Sequence, residues 1–276
     1  WQGLLARRTY GVSRSRMVID HTLNGAPMGA EISPGPAQFT LSLTAANAVD
    51  RVEFLKDNIL EKMIVHSGTW ERQPLPGRFA FKFEVEFGWG REARLFPDAA
   101  LKVWEGSLQV PGHLMGVEKL WNSFGQQILE WRDDRCDFRL TTHRGTETGK
   151  WMGPSQVRRE SLVFEVEGGI DDVLTLTVDG EQYALPVRML LQGTRIYAQY
   201  SQCERRIIKK FGPTPHYRDD FIWHCAFKFR VRRAVPSPAY TLNESFTTTL
   251  DAGSQYRLRV WLKNGDAAWT SPIFCR

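Results

Sequence analysis

No stretch of this sequence approaches the roughly 18 consecutive apolar residues that a membrane-spanning helix needs. Nor does a basic segment followed by an apolar one open the chain as a signal peptide would. No membrane is therefore expected among its partners. Cysteine is scarce: Cys136, Cys203, Cys225 and Cys275 are scattered with no C-x-x-C pair. That excludes a zinc knuckle or a disulfide framework and favours a reducing compartment. The six histidines, His21, His66, His113, His143, His216 and His224, stand apart, with no H-x-H, H-x-x-x-H or H-E-x-x-H spacing. Each is expected at the surface or in a hairpin, and none is assigned to a metal. There is no G-x-S-x-G, no phosphate-cradling glycine loop and no dinucleotide fingerprint, so no catalytic residue is assigned.

Excess charge is also missing. Spread over 276 residues, a net charge of +5 serves solubility more than any one partner. The basic runs RRTYGVSRSR, ERRIIKK and RVRR fit solvated strand edges better than a nucleic-acid track, and no nucleic acid is expected. The acidic pairs Asp133-Asp134 and Asp171-Asp172 read as turns, because adjacent strand residues point to opposite faces.

What is present is alternation. In FAFKFEVEF, Phe79, Phe81, Phe83, Val85 and Phe87 share one face and Lys82, Glu84 and Glu86 the other. The same period marks QFTLSLTA, RVEFLKD, SLVFEVEG, VLTLTVDGEQYALPV, WHCAFKFRV and YRLRVWLKNGDAAWTSPIF, and MVIDHTLN and VEFLKDNILEKMIV are also read as strands. Asp179-Gly180 and Asn264-Gly265 are expected to make type I′ hairpins. Beyond the opening segment only VRMLLQ suggests a helix, and 201–220 reads as a long loop. The chain is therefore expected to be all-β, built of sandwich modules of immunoglobulin-like or jelly-roll-like type. Proline punctuation at PLPG and AVPSP suggests a discontinuous sandwich of residues 17–75 and 236–276, an inserted β-rich module over 76–235, and a linker over 1–16.

The strings LLARRTYGVSRSRMVIDHTLNGAPMGAEI and YRLRVWLKNGDAAWTSPIF, and AFKFRVRRAVPSPAYT between them, resemble the C-terminal parts of an uncharacterised bacterial group of PHP-superfamily (polymerase-and-histidinol-phosphatase) proteins. In that group a last barrel helix ending in ARR-x-Y leads to a strand, to NGAPMG, and to a β-region closing on AWSSPI. Here the last string reads Ala268-Trp269-Thr270-Ser271-Pro272-Ile273. The resemblance is specific at both ends and over 226–241, weak between, and departs at GVSRSR, where relatives carry small hydroxyl and glycine residues.

The resemblance implies that Trp1 to Arg8 is a remnant of the final helix of a (β/α) barrel whose body precedes Trp1. The divalent metal ions would belong to that barrel, as would any localisation signal, so localisation stays open. The chain would then be a non-catalytic C-terminal β-region of a metal-dependent phosphoesterase-like protein, shaping or covering the site or mediating assembly, homo-oligomers included. This chain alone is not expected to be an enzyme. Arg7, Arg8, Tyr10 and Arg16 would lie nearest the barrel's substrate. A second reading takes Trp89, Trp104, Trp121, Trp131 and Trp151 as a carbohydrate- or polymer-binding platform, against which stands their packing in a core or at an edge.

Overall fold

The computed structural model describes residues 1–71, 74–89, 96, 101–120, 126–144, 157–213 and 219–276. They are mostly β-strand and divide into two compact units, residues 1–76 with 235–276, and residues 77–234. The chain passes from one to the other within PLPG and within AVPSP.

In the first unit one sheet runs in the order Thr241–Leu250, Gly35–Ala45, Met17–Leu23, Ala26–Pro27. The second centres on Gln255–Leu262, which pairs with Val49–Lys56, Ala267–Thr270 and Ile273–Cys275. Ile59–Val65 extends it beyond Val49–Lys56, Tyr10–Val12 beyond Ala267–Thr270, and Glu31–Ile32 lies parallel to Ile273–Cys275. Alternation along Gly35–Ala45 turns Ala37, Phe39, Leu41, Leu43 and Ala45 inward and leaves Gln38, Thr40, Ser42 and Thr44 exposed. They meet Phe54, Tyr256, Leu258 and Val260 of the facing sheet, with Phe39, Phe54 and Tyr256 in ring contact at 5.2 and 5.6 Å. Two sheets thus enclose one core.

The second unit repeats the plan. One sheet includes, in order, His113–Leu120, Glu160–Gly169, Arg78–Trp89, Lys228–Val231 and Arg195–Ala198. The other runs Gln126–Trp131, Arg135–Arg144, Leu101–Gln109, Val173–Val178, Glu181–Pro186, with Val157–Arg158 also on Arg135–Arg144. Phe87 of the first touches Trp104 and Phe138 of the second at 5.2 and 5.8 Å, which makes the space between them the core.

Several expectations are corrected. VEFLKDNILEKMIV is two strands, because Asp57 and Asn58 take φ of 50° and 69° and fold the chain into a hairpin. Asn24-Gly25 and Asp179-Gly180 also place both residues at positive φ, but Asn264 does not. There only Gly265 does, at 89°, and its N–H donates to Leu262 O, so the turn is centred on Lys263 and Asn264. The first part of 201–220 belongs to a helix, Tyr200–Phe211, which buries Cys203 and Ile207 one turn apart and ends on Gly212 at φ 79°. Trp223, His224 and Cys225, read as strand, belong to the helix Asp219–Cys225, and Ser237–Tyr240 is a further helical turn. The opening helix spans only Gln2–Leu5.

Candidate functional site

The segments ARRTY, NGAPMG and AWTSPI meet at one place in the first unit. After the helix the chain turns sharply at Arg7, φ 57°, and the backbone of Ala6 and Arg7 rests on Gly29 of NGAPMG. A Cβ at Gly29 would stand 2.3 Å from Ala6 O and 2.6 Å from Arg7 O, and its φ is 86°. Only glycine fits there. Gly29 N donates to Pro272 O at 2.9 Å, Ser271 N to Thr9 O at 2.9 Å, and Phe274 N to Ala30 O at 2.9 Å. The Thr9 and Ser271 hydroxyls lie 3.1 Å apart, and Tyr10 pairs with Thr270. ARRTY, NGAPMG and AWTSPI therefore form a single joint.

A second anchor lies just beyond it. Ser15 donates to the Asp266 carboxylate through its hydroxyl and, at 3.2 Å, through its N–H, while Asn264 Nδ2 reaches the same oxygen at 2.9 Å. Ser13 accepts from Ala267 N at 2.9 Å. The serines of GVSRSR thus pin the entering chain to the last hairpin. The sequence marks Asn264 only as a hairpin residue and gives no role to Ser13, Ser15 or Asp266; the signal available was a pair of hydroxyls facing an Asn-Gly-Asp turn.

The helix held by this joint buries none of its residues. Trp1 is 91 % exposed, Leu4 59 % and Leu5 78 %. Of the residues expected near a substrate, Arg7 bonds to Glu31 at 3.0 Å and lies 4.9 Å from the Phe274 ring, and Tyr10 donates to Met17 O at 2.9 Å. Both are held by contacts within the unit. Arg8 and Arg16 are exposed, and neither side chain bonds a described residue.

The tryptophan platform is not assembled by the described residues. Trp104 is fully buried and donates to Thr142 Oγ1 at 2.8 Å, and Trp131 is half exposed at a sheet edge, donating to Leu114 O at 3.2 Å. Trp89 contributes backbone to the strand Arg78–Trp89, and Trp121 and Trp151 lie outside the described residues.

His66 is half-buried, His113 and His224 are exposed, and the backbone of His143 lies in a strand; His216 falls outside the described residues. His21 lies in the strand that runs into the Asn24-Gly25 hairpin, away from the surface. It is buried between Ile19 and Leu23, its Nε2 has no partner, and desolvation lowers its pKa to about 4. Asp133 raises that of His113 through a hydrogen bond at 2.8 Å. Burial pushes the Cys136 thiol up to about 12, which leaves it unreactive at neutral pH. Asp172 accepts from Gly169 N at 2.8 Å and Asp171 pairs with Arg188, so GGIDD is a turn. Among the described residues no group of three or more His, Cys, Asp or Glu is placed to hold a metal ion.

Comparison of the chain with family models, with curated proteins and with solved structures finds no match to any of them.

Proposed function

We propose that this chain is a non-catalytic β-region that docks on a PHP-type metal-dependent phosphoesterase barrel through its opening helix. The observation that carries the reading is the rigid presentation of an apolar helix. Trp1, Leu4 and Leu5 are open, while the chain behind them is locked by Gly29, Pro272 and Ser271. Burying side chains of this size contributes roughly 1.5–3 kcal/mol each, enough to seat the helix against a neighbouring body. The divalent ions, the chemistry and any assembly into oligomers belong to that larger protein in this reading. Arg8 and Arg16 are the residues left over for an anionic substrate at the rim, since Arg7 and Tyr10 are held elsewhere.

Reading the coding sequence upstream of Trp1 is the direct test. An H-x-H pair followed by further His and Asp positions is expected, and an upstream region without them overturns the proposal. The chain by itself should show no Mn²⁺- or Zn²⁺-dependent turnover of an aryl phosphate. Turnover abolished by a chelator and by changing a histidine within these residues would contradict it. In the barrel-bearing protein, Arg16→Ala is expected to lower kcat/KM with the melting temperature unchanged.

A further inference from the structure

The outer face of the first unit's larger sheet carries a shelf of aromatic and basic side chains. Tyr256, Leu258, Val260 and Leu262 turn into the core, so Arg257, Arg259 and Trp261 point the other way. The next strand sets Trp269 directly across from Arg259, and Gly11 lies on the far side of Trp269. Trp269 is 39 % exposed, and a Cβ at Gly11 would meet nothing within 4 Å, which leaves that flank of the indole open. The two indoles meet edge to face at 6.5 Å. The guanidinium groups of Arg51 and Arg259 lie 5.0 and 5.7 Å from the Trp261 ring centre. Trp261 is thereby held in place, and Trp269 is the stacking surface.

The charges select the ligand. Arg51 and Arg259 both pair with Glu53, and Arg51 also with Asp50. Arg257 has no ion pair or hydrogen bond to any described residue, and its Nε is buried without a partner. It sits one diagonal step from Trp269 on the same face, a separation of about 7–8 Å. One uncompensated guanidinium beside one open indole matches a ring bearing a single carboxylate. A nucleic-acid strand brings a phosphate with every base and calls for a run of free cations, whereas two of the three arginines here are already neutralised. We propose that this shelf binds an acidic polysaccharide of uronate pyranosides, one sugar stacking on Trp269 while its carboxylate takes a two-pronged contact from Arg257.

The test uses the 276-residue chain with oligogalacturonate, followed by titration calorimetry. Binding is expected, with Trp269→Ala and Arg257→Gln each weakening it about tenfold or more while the melting temperature stays unchanged. Trp131→Ala, which removes the half-exposed indole of the other unit, should bind as the parent does. No binding of oligogalacturonate, or unchanged affinity in either shelf variant, overturns the proposal. So does equal affinity for neutral dextran, which would remove the carboxylate from the account, or tighter binding of poly(U), which would make the face a nucleic-acid site.

Discussion

Strand Gly35–Ala45 of the first unit and strand Arg78–Trp89 of the second carry the same alternation and treat their polar faces in opposite ways. In the first, Gln38, Thr40, Ser42 and Thr44 are open to solvent. In the second, Lys82, Glu84 and Glu86 are as deeply buried as the phenylalanines behind them. Lys82 pairs with Glu118 and Glu165, Glu84 with Arg232, and Glu86 with Arg159, Arg230 and Arg232 at 3.5, 2.6 and 2.9 Å. A buried charge persists only with partners that replace its hydration, so strand Arg78–Trp89 carries an ionic layer where strand Gly35–Ala45 faces solvent. Alternation identifies the face that meets a core. It does not say what lies over the other face.

The largest test of this contrast is Glu86→Ala. It removes the buried carboxylate that three guanidinium groups share and should cost about 3–5 kcal/mol in urea denaturation, with hydrogen exchange locating the loss in residues 77–234. Ser42→Ala in the first unit should stay within about 0.5 kcal/mol. Similar costs for the two would abolish the distinction drawn here.

Glycine sharpens the comparison next. Gly29→Ala forces a Cβ into the Ala6 and Arg7 carbonyls at positive φ and should destabilise the first unit by about 3 kcal/mol. In the second unit Gly180, φ 85°, has nothing within 4 Å of the same position, and Gly180→Ala should cost only about 1 kcal/mol.

Acid separates the units by the sign of its effect. His21 has its pKa lowered from 6.5 to about 4, so the unfolded chain binds the proton first. The first unit therefore keeps its full stability above pH 6.5 and loses up to about 3 kcal/mol as pH falls toward 4. His21→Leu should flatten that dependence in exchange rates measured across this range.

The smallest effect runs the other way. The His113 pKa is raised by Asp133, so the contribution of this exposed pair in the second unit is complete below 6.5 and fades as pH rises through the raised value. Titration of His113 by NMR should give a pKa above 6.5 that returns to the ordinary value in Asp133→Asn.

Much of the β architecture was legible because a strand's face is written in consecutive residues. Phe79 to Phe87 and Ala37 to Ala45 each show the side that turns inward. The candidate site was legible only in pieces. Arg7 and Tyr10 were singled out, yet both are tied to the first unit by Glu31, Phe274 and Met17. Ser15 and Asp266, 251 positions apart, give no sign in sequence of their hydrogen bond.

The sequence by itself determined strands, their inward faces and the turn at Asp179-Gly180, since these follow from side-chain period and from which residues tolerate positive φ. Tertiary structure alone decided that Glu86 would be roofed by arginines, that His21 would lose water without gaining a partner, and that Gly29 would carry the backbone of Arg7. The physical reason is that desolvation and close approach depend on which distant strands become neighbours. That is a property of the packed chain, and no local run of residues encodes it.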